Sequence, residues 1–188
     1  MEGFDLAGKT LGVIGTGKIG KNVVKIAKAF EMNVVAYDLY PDMTFAQENN
    51  FSYKNLADVI AGSDIITLHA PYNKENHHLI NKENITLMKK GVYLINTARG
   101  ELVDTEALVA GLKEGILAGA GLDVLEEERT IKENNKISIL NHELMKMPNV
   151  IITPHIAFYS KEAVDSILQI TLENIKGFVS ANPINIVK

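Results

Sequence analysis

The chain has 188 residues, 46% of them hydrophobic and 22% charged, with a net charge of −4 at neutral pH. That composition excludes a largely disordered chain, and the length suits about one domain. No apolar run approaches the ~18–20 residues of a membrane span, the start MEGFDLAGKT does not read as a signal peptide, zero cysteines exclude thiolate and disulfide chemistry, and the acidic balance suits neither nucleic acid nor an anionic membrane, so the cytoplasm is the expected compartment.

In chain order, TLGVI at 10–14 reads as a buried strand, followed by a helix over 18–30. Ile19, Val23, Ile26, Ala27 and Phe30 fall on one face of that helix. NVVAY at 33–37 is the next strand; a polar, turn-rich stretch and a short helix near 56–61 follow. DIITL at 64–68 and VYLIN at 92–96 are strands, with a helical turn at 84–88 between them. Asp104 is placed to cap a helix running to about residue 114. Strands over 117–122 and 150–153 flank a charged, Asn-rich excursion from 126 to 147, and a helix over 161–179 follows. Apolar positions cover much of that helix's circumference, so it expects partners on more than one side, in its own domain or on another copy. Short apolar strands alternating with helices predict an α/β protein, a doubly wound parallel sheet.

Gly15-Thr16-Gly17-Lys18-Ile19-Gly20 is a G-x-G-x-x-G between the first strand and the first helix. Gly15 permits the tight turn, Gly17 lets the backbone approach a pyrophosphate, and Gly20 lets the helix pack on the strand. The phosphates would meet the positive end of the helix. Asp38 ends the second strand 18 residues after Gly20, where a carboxylate can bind ribose hydroxyls. It would repel a 2′-phosphate and has no arginine beside it, which favours NAD over NADP.

Only two of the 19 basic residues are arginines, Arg99 and Arg129. Arg99 follows a strand in Asn96-Thr97-Ala98-Arg99-Gly100, on the edge where open α/β sheets bind ligands. Its fork could grip a carboxylate, or it could pair with Glu101 or Asp104. His155, in Thr153-Pro154-His155-Ile156-Ala157, also follows a strand and could exchange protons near neutral pH. Glu126-Glu127-Glu128 reads by itself as a solvated loop, yet a carboxylate beside His155 would favour its protonated form and fix its orientation. His69 ends a strand on the same edge and could line the cleft, whereas His77, His78 and His142 lie in polar surroundings. No spacing of His, Asp and Glu makes a metal site.

Together these motifs resemble the D-isomer-specific 2-hydroxyacid dehydrogenases over nearly the whole chain: GTGKIG, Asp38, His69-Ala70-Pro71, NTARG at 96–100, GLDV at 121–124 and TPHIA at 153–157. The resemblance implies an NAD-dependent oxidoreductase that reduces a 2-oxo acid to a D-2-hydroxy acid. It makes Arg99 the anchor of the substrate carboxylate, His155 the acid/base, and Glu128 the carboxylate paired with that histidine. Lys18, Ile19, Asp38, Ala70, Pro71, Asn76, Thr97, Ala98 and Asp123 match dinucleotide contacts, Asp123 near the nicotinamide amide. The closest subgroup in flavour is the D-lactate dehydrogenases, although Arg129 replaces the usual proline after the glutamate and a long insert precedes His155.

Members of that family carry a substrate-binding segment before the dinucleotide fold, whereas this chain starts almost at its first strand. It is therefore expected to be a coenzyme-binding domain, inactive alone, with 1–157 the NAD-binding domain and 158–188 returning to the substrate domain. A homodimer is expected, since relatives pair through this domain. The same resemblance also covers NAD-sensing corepressors, which bind partners without significant turnover.

Overall fold

The computed structural model describes residues 3–126 and 143–186. Glu127, Glu128, Arg129 and His142 lie outside them. The chain divides into two compact units, Met1–Pro154 and His155–Lys188.

The first unit is built on strands β1 (Thr10–Ile14), β2 (Asn33–Tyr37), β3 (Ser52–Tyr53), β4 (Ile65–Leu68), β5 (Val92–Asn96), β6 (Leu117–Leu122) and β7 (Val150–Ile152). They form one sheet in the order β3-β2-β1-β4-β5-β6-β7, every pair parallel. The helices are α1 (Lys18–Ala29), α2 (Met43–Glu48), α3 (Leu56–Gly62), α4 (Lys82–Ile85) and α5 (Thr105–Lys113). This is the doubly wound order, with its topological switch between β1 and β4. Both faces of the sheet are covered, so alternate residues of one strand enter different cores. Leu11 and Val13 of β1 pack with Val24, Ala27 and Val34, while Ile14 packs with Ile66, Leu68, Leu94 and Leu108.

The apolar stripe of α1 is only in part its buried face: Ala27 is buried and Val23 packs against the core, but the rest of the stripe is not covered. Gly20, Val24 and Ala27 are buried, whereas Ile19, Ile26 and Phe30 are more than half exposed. A Cβ on Gly20 would stand 2.0 Å from the carbonyl oxygen of Gly15. The helix is seated by that backbone approach, which leaves the Ile19, Ile26 and Phe30 side of the stripe facing solvent. Between β2 and α3 the structure adds α2 and β3, where the sequence suggests only turns. α2 has six residues and is held by its cap, the Asp42 side chain accepting from Phe45 N–H, while β3 has two residues; neither is long enough to show a period. The turn expected at 84–88 is the earlier helix α4, started by the Asn81 side chain. Asp104 caps α5, accepting from the N–H groups of Glu106 and Ala107. Of the polar excursion after β6, Leu144 is buried in the core and Glu126 is partly buried.

The second unit contains α6 (Lys161–Val179), capped by Ser160 accepting from Ala163 N–H. No residue of α6 is buried, and Ile167, Leu168, Leu172, Ile175 and Phe178 are each at least half exposed. The chain beyond it turns back, with Asn182 N–H donating to Gly177 O and Asn185 Nδ2 to Asn174 Oδ1 at 2.9 Å each.

The candidate cofactor site at the carboxyl edge of the sheet

The carboxyl ends of β1, β2, β4, β5 and β6 lead directly into Gly15, Asp38, His69, Thr97 and Asp123. At the β1–β4 switch, Gly15 has φ +92 and a Cβ there would meet Ala70 N at 2.5 Å and His69 C at 2.7 Å. The loops after β1 and β4 therefore touch, and the turn admits only glycine. Gly17 differs: a Cβ there would meet no protein atom within 4 Å, and its φ of −65 suits any residue. Protein packing does not demand this glycine. It leaves open space at the N-terminus of α1, beside Lys18 and Ile19, which are exposed. A dinucleotide's pyrophosphate fits that cradle, because backbone N–H groups and the helix dipole face it.

Asp38 is bound to this loop. Its Oδ2 accepts from the N–H of Thr16 at 2.6 Å and from the Thr16 hydroxyl at 2.9 Å, and its Oδ1 accepts from Tyr40 N–H at 2.9 Å. Burial acts to raise the carboxyl's pKa, but hydrogen bonds from Tyr40, Thr16 and Leu39 outweigh it and hold the group below the usual carboxylate value. The carboxylate is thus charged at neutral pH, as rejection of a 2′-phosphate requires. His69 is half-buried, its ring 3.0 Å from the Thr67 hydroxyl, and burial lowers its pKa. It is therefore neutral near pH 7. Asn76 donates to Pro71 O at 2.7 Å and so pins the segment after β4.

Asn96 is 1% exposed and shapes the next loop. Its amide donates to Arg99 O at 2.8 Å and its oxygen accepts from Ala98 N–H at 3.0 Å. Thr97 and Arg99 are exposed beyond this brace. Arg99 Nη1 donates to Ala98 O at 2.7 Å, leaving further donors of its fork for a ligand, and among the described residues it forms no ion pair with Glu101 or Asp104. Asp123 is buried and accepts from the hydroxyl of Thr153 just past β7. His155 opens the second unit with a left-handed backbone, φ 57. For a non-glycine residue that conformation stores strain, as functional positions often do. Glu128 lies outside the described residues.

The structure also joins residues that the sequence left apart. Glu126 accepts from the Thr105 hydroxyl and from His78 Nε2 at 2.6 Å each, and from Thr105 N–H at 3.2 Å. His77 stacks on His78, with ring centroids 3.9 Å apart and planes 24° from parallel. The donor atoms of His77, His78 and Glu126 lie within 4.8 Å of one another. His78, Glu126 and Thr105 form a hydrogen-bonded brace. It fixes the chain after β6 onto α5 and onto the segment leading to Ile80. No spacing rule separates Glu126 from its acidic neighbours; only the fold does.

Burial acts to raise the Glu126 pKa, but the hydrogen bonds from Thr105 and His78 outweigh it and depress it below its ordinary value. Its contribution to stability is therefore present above the unfolded carboxyl pKa and is lost as pH falls through the folded one. Glu126→Gln is expected to cost about 1–2 kcal/mol at neutral pH. Denaturation midpoints followed from about pH 7 to pH 3 should show the gap between the two proteins closing. A gap that does not change with pH would refute the linkage.

Among the described residues, no helix is long and apolar enough to cross a membrane. The family model for the D-isomer specific 2-hydroxyacid dehydrogenase, NAD binding domain, matches residues 1–157. An aromatic 2-oxoacid reductase from Clostridium sporogenes is 44% identical over 182 residues, covering 94% of this chain and 54% of that protein. A D-lactate dehydrogenase with NAD+ from Lactobacillus jensenii superposes with a TM-score of 0.89 at 35% identity, covering 98% of this chain and 57% of that one. A D-lactate dehydrogenase from Aquifex aeolicus, solved with NAD and lactic acid, superposes with a TM-score of 0.85 at 44% identity, covering 93% and 54%. The chain thus spans about half the length of the relatives it matches. With its parallel sheet, its glycine cradle at the switch point and its charged Asp38, the chain belongs to the NAD-binding-domain family of the D-isomer specific 2-hydroxyacid dehydrogenases.

Proposed function

We propose that this chain is the coenzyme-binding part of an NAD-dependent D-2-hydroxyacid dehydrogenase that reduces a small 2-oxo acid, in the manner of a D-lactate dehydrogenase. The observation that carries the reading is the open Gly17 cradle beside a charged Asp38. Gly15, Gly17, Lys18, Ile19 and Gly20 would hold the pyrophosphate, and Asp38 the adenosine ribose. His69, Ala70, Pro71, Asn76, Thr97, Ala98, Arg99 and Asp123 would line the rest of the cleft. When bound, the dinucleotide supplies a hydride to the substrate's carbonyl carbon.

The remaining work falls to side chains. Arg99 grips the substrate carboxylate and sets the carbonyl's orientation. Protonated His155 gives its proton to the oxygen that becomes the alcohol, and neutral His155 takes it back in the oxidation. Glu128 is the carboxylate assigned to pair with that imidazole. Residues 158–188 are assigned to the substrate domain, a reading supported by the family match ending at residue 157 and by the exposed apolar surface of α6. The exposed apolar stripe of α1 supports a homodimer. The absence of cysteine supports a cytoplasmic location.

Fluorescence titration of this chain with NADH and with NADPH tests the cofactor reading. Saturable NADH binding is expected, with NADPH at least about tenfold weaker, a difference of ~1.4 kcal/mol. Equal binding of the two would remove Asp38 from the ribose site.

A further inference from the structure

We propose that Tyr53, on the two-residue edge strand β3, is a positioning residue for the adenosine ribose, acting through Thr16 on Asp38. The proposal rests on the dinucleotide site described above. It is carried by a chain of three hydroxyl and carboxyl groups that the sequence keeps far apart. The Tyr53 hydroxyl lies 2.8 Å from Thr16 Oγ1, which lies 2.9 Å from Asp38 Oδ2.

The direction of the chain follows from proton counting. Charged Asp38 only accepts. The Thr16 hydroxyl has one hydrogen and gives it to Asp38, so Tyr53 must be the donor to Thr16. Oδ2 then holds two hydrogen bonds, from the hydroxyl and the N–H of Thr16, and its acceptor capacity is filled. Oδ1, which carries the N–H of Tyr40, is left with the carboxylate's remaining room for a ribose hydroxyl. Tyr53 therefore selects which oxygen, and which side-chain rotamer, Asp38 offers.

Tyr53 is well placed to hold that geometry. Its backbone pairs opposite Ala36 in β2, two residues before Asp38, and Lys54 N–H donates to Ala36 O at 2.9 Å. Its ring stands edge-on to Phe51 at 5.2 Å, and Phe51 in turn packs on Phe45 at 5.6 Å. Thr16 is 4% exposed, so the middle of the chain is shielded from water. A hydrogen bond fixed in this way costs little further ordering when ligand binds.

The test is a double-mutant cycle on the 188-residue chain, read as NADH affinity by fluorescence. Asp38→Ala should weaken NADH strongly. Tyr53→Phe keeps the ring and removes only the hydroxyl, so it should weaken NADH about three- to tenfold, as loss of one hydrogen bond's ordering would. In the Asp38→Ala background the same change should have no effect. Reduced nicotinamide mononucleotide, which lacks the adenosine half, should bind the wild type and Tyr53→Phe equally. A Tyr53→Phe variant with wild-type NADH affinity overturns the proposal. So does a loss of equal size with or without Asp38, or one shared by the mononucleotide. If Asp38→Ala itself binds NADH normally, the ribose-site reading falls and this proposal with it.

Discussion

His155→Gln is expected to lower the turnover of a 2-oxo acid by about 10²- to 10⁴-fold in any preparation that shows NADH-dependent reduction, the range for loss of a positioned acid/base group. Glutamine keeps a similar length and a hydrogen-bonding amide but cannot deliver a proton at neutral pH. The loss should fall on kcat, because Asp38 and the glycine loop lie in the first unit and are not altered. NADH affinity, measured by titration, should stay within about twofold of wild type. Glutamine does not prefer the left-handed φ of 57 at this position, so the melting temperature of the variant is the control. Wild-type kcat in His155→Gln would remove the residue from the chemistry. A rise in KM alone would reassign it to binding.

The second large effect separates two glycines three residues apart. Gly20→Ala should destabilise the chain by about 1–3 kcal/mol, since the new Cβ would press on a backbone oxygen that cannot rotate away. Helix propensity alone predicts the opposite sign, a gain of about 1 kcal/mol for glycine to alanine inside a helix. The contact at 2.0 Å decides against it. Gly17→Ala should cost at most about 1 kcal/mol, the ordinary penalty of alanine at a helix N-cap, because its φ is ordinary and nothing of the protein occupies the space. It should nevertheless weaken NADH at least about tenfold, because the methyl group fills the cradle. Urea denaturation and NADH titration of both variants read the two effects apart. Normal NADH affinity in Gly17→Ala would show that the open space is not the pyrophosphate site.

Much of the fold is legible without coordinates. β1, β2, β5 and β6 and the long helix α6 coincide with the runs read from periodicity, because each is a strong local pattern bounded by turn residues. The glycine motif, Asp38 and the loop at 96–100 lie at strand ends for the same reason. Illegible were the elements made by single contacts. α2 is a cap and little more, and β3 is two residues paired to an established strand. That Ile19, Ile26 and Phe30 of α1 face solvent while Val23 and Ala27 face the core has a comparable cause, since hydrophobic periodicity counts side chains while the seat of this helix is a backbone approach at Gly20.

The sequence by itself determined the alternation of strands and helices, the place of the phosphate loop, and a carboxylate at the end of β2, because these depend on neighbours within a few residues. Only the tertiary structure decided that Asp38 is braced by Thr16 and Tyr53, that Asn96 shapes the loop carrying Arg99, and that Glu126 joins His78 to α5. Those bonds link residues up to 48 positions apart. Nothing in a local pattern specifies such partners. They meet only when the parallel crossovers bring the strand ends to one edge, where each buried polar group must find its hydrogen bond.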